Sequence, residues 1–522
     1  MAIYGGFPSG GGNWKDSNPN LYETILSGDL DGNDVEVNDP CDLLTEPTRV
    51  ENSYHVITGS GTDETAILDG FTITAGNANG SSPDDCGGGM YSDYGSPMVT
   101  NCIFAENSVI LSGGGVYINA GSLTIADSLF NNNSSSNYGG GLRCIEANDV
   151  TVTNCRFSNN TAIMGGGMDC YLSNLILTGC TFTNNTSIFG GGVENNQSNL
   201  VMKNCIIHHN VADWGGGLEN FTSSSNLIMT NCTVSDNTAN EAGGGILDFP
   251  DTAKLNNCVL WGNSDTNTGT GELAQIFLSI SEATIDYSCV QGWTGAFGGF
   301  GNTGNDPYFA DASNGDYHLR SQAGRWDPNA QIWVFDSMTT SCIDAGDPDS
   351  NWTEELWPHG RRINIGAYGG TPEASMSLSD IDNVANLNND LYHSVDFNDL
   401  RIFCSKWCSD EILIAEDLNR DGVVDFRDYA IFAVNWETRL TRLCSFSLDT
   451  DPSWTTEGEW AFGQPTGGGG TDGVPDPTIG YTGSNVYGYN LSGDYTNNLS
   501  ETHLTSTVID CTIILPKNWA HD

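Results

Sequence analysis

Seven regularly spaced glycine triplets begin at residues 87, 113, 139, 165, 190, 215 and 243, at intervals of 26, 26, 26, 25, 25 and 28 residues. A second marker shares the period: Cys102, Ser128, Cys155, Cys180, Cys205, Cys232 and Cys258. A unit this short has room for two or three strands but cannot bury an apolar face alone, so its neighbours must stack on it. Between the markers the text alternates, as in "NLILTGCTF" (Asn174 to Phe182) and "NLIMTNCTV" (Asn226 to Val234), which is the period of a strand. Coiling such units predicts a right-handed parallel β-helix with successive coils about 4.8 Å apart. Each repeat position then becomes a column along the solenoid.

The columns explain the markers. Inward cysteines pack as small hydrophobes, and Ser128 replaces one at little cost. Glycine triplets allow a sharp turn where no Cβ fits. Asn107, Asn133, Asn160 and Asn185 can bond their own turn and that of the next coil. The paired signatures "FAEN", "FNNN", "FSNN", "FTNN" and "GGGM", "GGGV", "GGGL", "GGGI" resemble the repeats of bacterial polymorphic outer-membrane proteins and related β-helix surface proteins. Later copies, "IIHHN", "TVSDN" and "VLWGN", lack the Phe. The stretch "CIDAGDPDSNWTEELWPHGRRINIGAYGGTPEAS" is similar to the closing D-I-G-A-Y-E segment of such helices, with Asn364 for the Asp and Gly369 for the Glu. The resemblance covers roughly residues 3–375 and implies a surface or secreted β-helix, without implying a reaction.

Charge narrows the partners. The 522 residues carry 17 Lys+Arg against 66 Asp+Glu, a formal charge of −49. That balance excludes nucleic acid and anionic membranes, both of which require a basic face. It suits a secreted protein whose surface either takes up calcium or is simply well solvated. No transmembrane run of about 18 apolar residues occurs. The opening "MAIYGGFPSGGG" has no signal-peptide pattern, and the text stops abruptly at "CTIILPKNWAHD". The expectation is a fragment of an extracellular or cell-surface protein, lacking its natural N-terminus and part of its last domain. Most of the 16 cysteines follow the repeat, so they do not read as a disulfide framework.

Chemistry on a β-helix belongs to its outward columns. Two residues after each triplet stand Tyr91, Tyr117, Arg143, Asp169, Glu194, Glu219 and Leu247. Asp169, Glu194 and Glu219 would form a carboxylate ladder with Arg143 one coil away. Stacked at coil spacing, such acids repel unless a cation or proton intervenes. They suit calcium binding, acid/base work on a glycosidic bond, or calcium-assisted uronate lyase chemistry. Just before each triplet run Tyr138, Met164, Phe189 and Trp214. Tyr138, Phe189 and Trp214 offer flat faces to sugar rings, or else stack to stabilise the solenoid. His208 and His209 have no third ligand at a metal spacing and read as surface residues. In "ILSGDLDGNDVEVND", Asp29, Asp31 and Asn33 alternate either towards a cation or within a self-satisfied capping turn.

After "GGTPEASMSLSD" the composition shifts to short helical runs. In "DLNRDGVVDFRDYAIFAVNW", Asp417, Asn419 and Asp421 alternate towards one ion, Gly422 makes the turn, Val423 offers a carbonyl, and Asp425 and Asp428 take positions nine and twelve. The pattern resembles the dockerin type I repeat, a calcium loop followed by one helix and normally present twice. A second copy stands upstream with Asn386, Asn388, Asp390, Asp396 and Asp399, carrying two extra residues and no Gly. Dockerins recruit cohesin partners through small hydroxyl residues at loop positions ten and eleven; here these are Phe426 and Arg427. A calcium-stabilised hairpin joining two domains is the competing reading. Cys404 and Cys408 are spaced for a strained helical bridge or for pairing elsewhere. From Cys444 onward, Trp-, Tyr- and Gly-rich text suits a partial, jelly-roll-like β-sandwich.

The expectation is therefore a mainly β chain: a β-helix over 1–375, a dockerin-like calcium module over 376–440 and a partial β-sandwich over 441–522. The leading function is a protein that binds, or displays against, polysaccharide or cell-surface glycan. The alternatives are a polysaccharide lyase or glycoside hydrolase using the acidic ladder, and a structural adhesin.

Overall fold

The computed structural model describes residues 1–222, 224–248, 253–278, 283–379, 381–390, 395–436, 451–466, 485–489, 491 and 503–505. The chain forms two compact units, Met1–Thr438 and Arg439–Asp522.

Each coil of the first unit contributes a strand to three parallel sheets of ten, nine and ten strands. The coil after the third triplet shows the plan. Leu142–Ile145 lies in the nine-stranded triplet sheet, Asp149–Thr153 in a middle sheet and Arg156–Ser158 in a cysteine sheet. In the middle sheet Leu123, Val150, Leu175, Leu200 and Leu227 pair in register and are all buried. Period-2 alternation alone fixes this register, because a one-residue slip would turn every Leu outward.

Inside, Phe104, Phe130, Phe157 and Phe182 stack with centroids 4.5–5.1 Å apart. Ile207, Val234 and Leu260 continue that column where the Phe is lost. The cysteines are buried at the corner before each cysteine-sheet strand, each thiol near the carbonyl two residues back, as at Cys155 with Thr153 (3.2 Å) and Cys205 with Lys203 (3.3 Å). Ser128 makes the same bond to Ala126 (2.7 Å), so the exchange preserves the corner.

The glycines serve backbone stacking. The first of each triplet has a left-handed φ between +59° and +68°. A Cβ on the second, Gly166, would stand 2.6 Å from the Gly191 carbonyl of the next coil.

The asparagine column is a buried ladder that runs further than the Phe signature. Asn107, Asn133, Asn160, Asn185, Asn210, Asn237 and Asn263 are each 0% exposed. Each donates its backbone N–H and its Nδ2 to the Oδ1 of the next member, as Asn160 does to Asn185 (3.0 and 2.9 Å). The series ends where Asn263 donates to Oε1 of Gln275 (2.8 Å).

Residues after the last coil turn back along the outside of the cysteine sheet. Tyr317 and Ala367 cover Ile206, while Leu319, Cys342 and Ile365 cover Val259 and Cys289. Asn204 donates to the carbonyls of Ala367 and Gly369 (2.8 and 2.9 Å). His208 lies under Tyr317, 6% exposed, and burial lowers its pKa to about 3. The expected surface position of His208 is thus corrected: the returning segment covers it.

Two nine-residue helices, Phe397–Ser405 and Phe426–Val434, close the first unit. Their core pairs equivalent residues of the two copies, Val395 with Val424 and Phe403 with Phe432, the two rings stacked at 5.1 Å. Cys404 and Cys408 are exposed free thiols, not a bridge. In the second unit, Thr455–Thr456 pairs with Leu504–Thr505, and Trp460–Gly463 with Val486–Tyr489, both antiparallel. The rest of the expected β-sandwich lies outside the described residues.

Candidate functional site

Strand alternation sets the acidic ladder in register. Tyr91, Tyr117, Arg143, Asp169, Glu194, Glu219 and Leu247 are direct partners in successive strands of the triplet sheet. Their exposure differs from the expectation of an open outward face. Arg143 is 6% exposed, and Asp169, Glu194 and Glu219 are 1–2% exposed. The cause is the glycine turn, which folds the chain back over the strand that follows it. A Cβ on Gly139 would stand 3.0 Å from Arg143 Cβ, and one on Gly165 2.8 Å from Asp169 Cβ.

Under that cover Arg143 pairs with Asp169 and lies 4.6 Å from the Tyr138 ring centroid. Glu194 and Glu219 are direct cross-strand neighbours, and Oε2 of each is buried without a hydrogen-bond partner. Burial, reinforced by the adjacent Glu219, holds Glu194 well above the usual carboxyl range. Burial raises Glu219 to about 8. Near neutral pH the column therefore carries an Arg–Asp ion pair and two largely protonated acids. Repulsion between like charges is relieved by protons.

The second column is more accessible, although the Arg143 guanidinium covers one face of Tyr138. Tyr138, Met164, Phe189 and Trp214 pair in parallel from coil to coil and are all half-buried. Beside them Leu111, Ile163 and Ile188 are 37–39% exposed, and each hands its carbonyl to a rail residue: Leu111 to Tyr138, Ile163 to Phe189, Ile188 to Trp214. The result is an apolar rail one residue wide per coil. By contrast, Tyr91 and Tyr117 stack face to face at 5.4 Å and spend their faces on each other.

The loop at 417–428 gathers oxygen ligands. Carboxylate oxygens of Asp417, Asp421 and Asp428 lie within 4.8 Å of one another. Asp417 is held by N–H groups of Asp421 (3.2 Å) and Gly422 (2.8 Å), Asp428 by those of Asn419 (3.0 Å) and Asp425 (2.8 Å). Gly422 has φ +86°, the turn that favours glycine here. Asp425 also caps the following helix, and Arg427 bonds both Asp421 and Asp425 (2.5 and 2.8 Å). Val423 donates its N–H to Asp421 (3.2 Å). An all-oxygen set with three carboxylates fits a hard divalent cation.

The upstream copy repeats this scaffold despite its insertion. Asp399 accepts from Asn388 (2.9 Å) and Asp396 (2.8 Å), and Asp396 caps its helix as Asp425 does. Asp390 donates to Asn388 (2.9 Å), and Asn386, 4% exposed, has its Oδ1 without a partner.

At the other end of the molecule the expected trio does not converge. Asp31 and Asn33 are exposed, while Asp29 gathers with Asp34 and Glu51. No spacing signal marks that set, because its members meet across 22 residues only when the chain folds. His208 and His209 contact each other at 2.8 Å between Nδ1 atoms, and among the described residues no metal-holding cluster includes them.

Comparison with known proteins agrees with the coils. Residues 89–271 match the family model described as "Right handed beta helix region", and residues 286–346 match one described as "Disaggregatase related". Over its coils the chain is a right-handed parallel β-helix repeat protein. The crystal structure of pectate lyase Pel9A aligns at 15% identity and a TM-score of 0.27, covering 59% of this chain and 85% of that one. A score this low transfers neither residues nor activity. No curated protein matches. Among the described residues, no helix is long and apolar enough to cross a membrane.

Proposed function

We propose that this is an extracellular β-helix protein that binds polysaccharide or cell-surface glycan along the rail of Tyr138, Phe189 and Trp214. One observation carries the reading: half-buried rings stand on adjacent coils at Phe189 and Trp214, continued by Met164 and Tyr138 and flanked by exposed Ile163 and Ile188, on a strongly acidic molecule. Rings held by a rigid solenoid lose little entropy on contact with a sugar face. The experiment is retention on a panel of immobilised polysaccharides. Phe189→Ala and Trp214→Ala are each expected to weaken retention about tenfold, equivalent to ~1.4 kcal/mol. Unchanged retention in both would remove the rail from the reading.

A second reading rests on the adjacent Glu194 and Glu219, whose carboxyls, raised by burial, suit general acid/base work. Its cover by the glycine turns weighs against it. Release of reducing ends or unsaturated uronates that disappears in Glu194→Gln would establish an enzyme; retention without release favours the binder.

The 417–428 loop and its upstream copy are read as a dockerin-like calcium module. Asp417, Asn419, Asp421, Val423, Asp425 and Asp428 would hold the ion, with Asn386, Asn388, Asp390, Asp396 and Asp399 framing a second loop. Phe426 and Arg427 stand where cohesin-recruiting hydroxyls are expected, so a calcium-braced spacer is favoured over cohesin docking. Calorimetric titration with calcium should show a tight site that Asp417→Ala abolishes. A titration curve identical in that variant would overturn the loop assignment.

A further inference from the structure

Ahead of the first triplet, segment 28–53 lies against the first coils and is fastened there by two buried side chains. Arg49, 2% exposed, donates to the carbonyls of Gly76 (3.2 Å) and Glu106 (2.7 Å). Asn52, 5% exposed, donates to the carbonyl of Ala75 (2.8 Å). Asn77 returns a bond to the Arg49 carbonyl (2.7 Å), and Ser53 bridges Gly28 to Asn77 through its own backbone.

Three carboxylates meet at this fastening. Asp29, Asp34 and Glu51 each place an oxygen within 4.8 Å of the others. The basic group in contact is Arg49, whose Nη1 reaches Asp34 Oδ2 at 3.4 Å. Its Nη2 is committed to the two carbonyls, and its Nε has no partner. Three negative charges against one positive leave an excess of two.

The polar inventory shows the same deficit. Asp34 Oδ1, Glu51 Oε1 and Asn52 Oδ1 are all buried acceptors without a hydrogen-bond partner. Asn52 bonds Asp34 Oδ2 through its Nδ2 (2.8 Å), which sets its orphaned carbonyl oxygen beside the carboxylates. Buried acceptors are almost always satisfied, so several orphans around one acidic cluster call for a bound ion or water, and the excess negative charge favours a cation. Asp29 is pre-oriented by the N–H groups of Gly32 (2.7 Å), Asn33 (3.2 Å) and Asp34 (3.2 Å). Asp417 is held by backbone N–H groups in the same way. Oxygen donors alone, mixing carboxylate with amide, select a hard ion of flexible coordination.

We propose that a calcium ion binds among Asp29, Asp34, Glu51 and the Asn52 carbonyl oxygen, and clamps segment 28–53 onto the end of the β-helix. The site is independent of the 417–428 loop and of any glycan. Its role is to lock the end of the solenoid, where unpaired strand edges would otherwise open.

The test uses the full chain carrying Asp417→Ala, so that the strongest loop site is removed. Calcium stoichiometry is compared with and without the added pair Asp34→Asn and Glu51→Gln, and amide exchange is followed with and without calcium chloride, with magnesium chloride as control. The expected result is one ion fewer in the added pair. Calcium should also slow exchange at least tenfold in peptides spanning 28–53, with no change in the coils at 190–260, which lie beyond the contact of Cys41 with Thr161. Equal stoichiometry in the two proteins would overturn the proposal. Should the added pair fail to fold, exchange in the Asp417→Ala parent decides alone: rates in 28–53 that ignore calcium overturn the site.

Discussion

Asn185→Ala lowers the stability of the β-helix by about 3–6 kcal/mol, the cost of orphaning several buried groups at once. Its Oδ1 accepts from Asn160 N and Asn160 Nδ2, and its Nδ2 donates to the Phe157 carbonyl and to Asn210 Oδ1, all at 2.9–3.0 Å. Alanine removes all four bonds and offers nothing in return, in a position with no access to water. The matched control is Thr186→Ala, one residue away and exposed. That change should stay within about 0.5 kcal/mol. Urea unfolding followed by circular dichroism distinguishes them. Equal midpoints for the two variants would show that the coils are held by strand pairing alone.

The second large effect is a loss of stability as pH rises. Glu219 has a folded pKa of about 8, against an ordinary value of 4.5, and Glu194 is also raised. The folded chain therefore keeps protons that the unfolded chain releases. The Glu219 contribution is whole below about pH 4.5 and is lost progressively up to about pH 8, at about 1.4 kcal/mol per pH unit for the retained proton, and the raised Glu194 acts in the same direction. The double replacement Glu194→Gln, Glu219→Gln keeps the shape and removes the titration. Its unfolding midpoint should exceed that of the parent at pH 8.5 and converge with it at pH 5. A parent whose midpoint is level across this window would show that water reaches the pair.

The repeat made much of this legible. Glycine and cysteine periods gave the coil length, and alternation gave the register that places Arg143, Asp169, Glu194 and Glu219 in one line. Alternation reports only which side of a strand a residue takes. It does not report whether that side is roofed, and here the roof is the residue's own preceding turn. The Asn ladder was legible as far as Asn185; Asn210, Asn237 and Asn263 keep the same place after the Phe is lost, so the Asn marks the coil better than the ring does. Burial of His208 under Tyr317 depends on a segment more than 100 residues away, which no local pattern reports. The cluster of Asp29, Asp34 and Glu51 is hidden for the same reason, while the 417–428 loop was readable because its ligands are neighbours in sequence.

The Asn ladder is also a one-way structure. Every rung gives its backbone N–H and one amide hydrogen to the next Asn towards the C-terminus, and its other amide hydrogen to a carbonyl of the preceding coil, so the two ends differ: the first receives the Gly76 N–H (3.0 Å), and the last is Gln275. Gln275 turns its own hydrogens back to the carbonyls of Asn263 (3.0 Å), Thr270 (3.1 Å) and Gly271 (3.3 Å), leaving nothing to pass on. Such a series has a start, a stop and interchangeable members between them. A gene duplication that inserts one whole coil leaves every rung matched and lengthens the rod by about 4.8 Å, whereas any insertion that is not a whole coil breaks the series at once. The number of coils can thus change by recombination without redesign of either end, and the reach of the molecule becomes a quantity that selection can adjust one coil at a time.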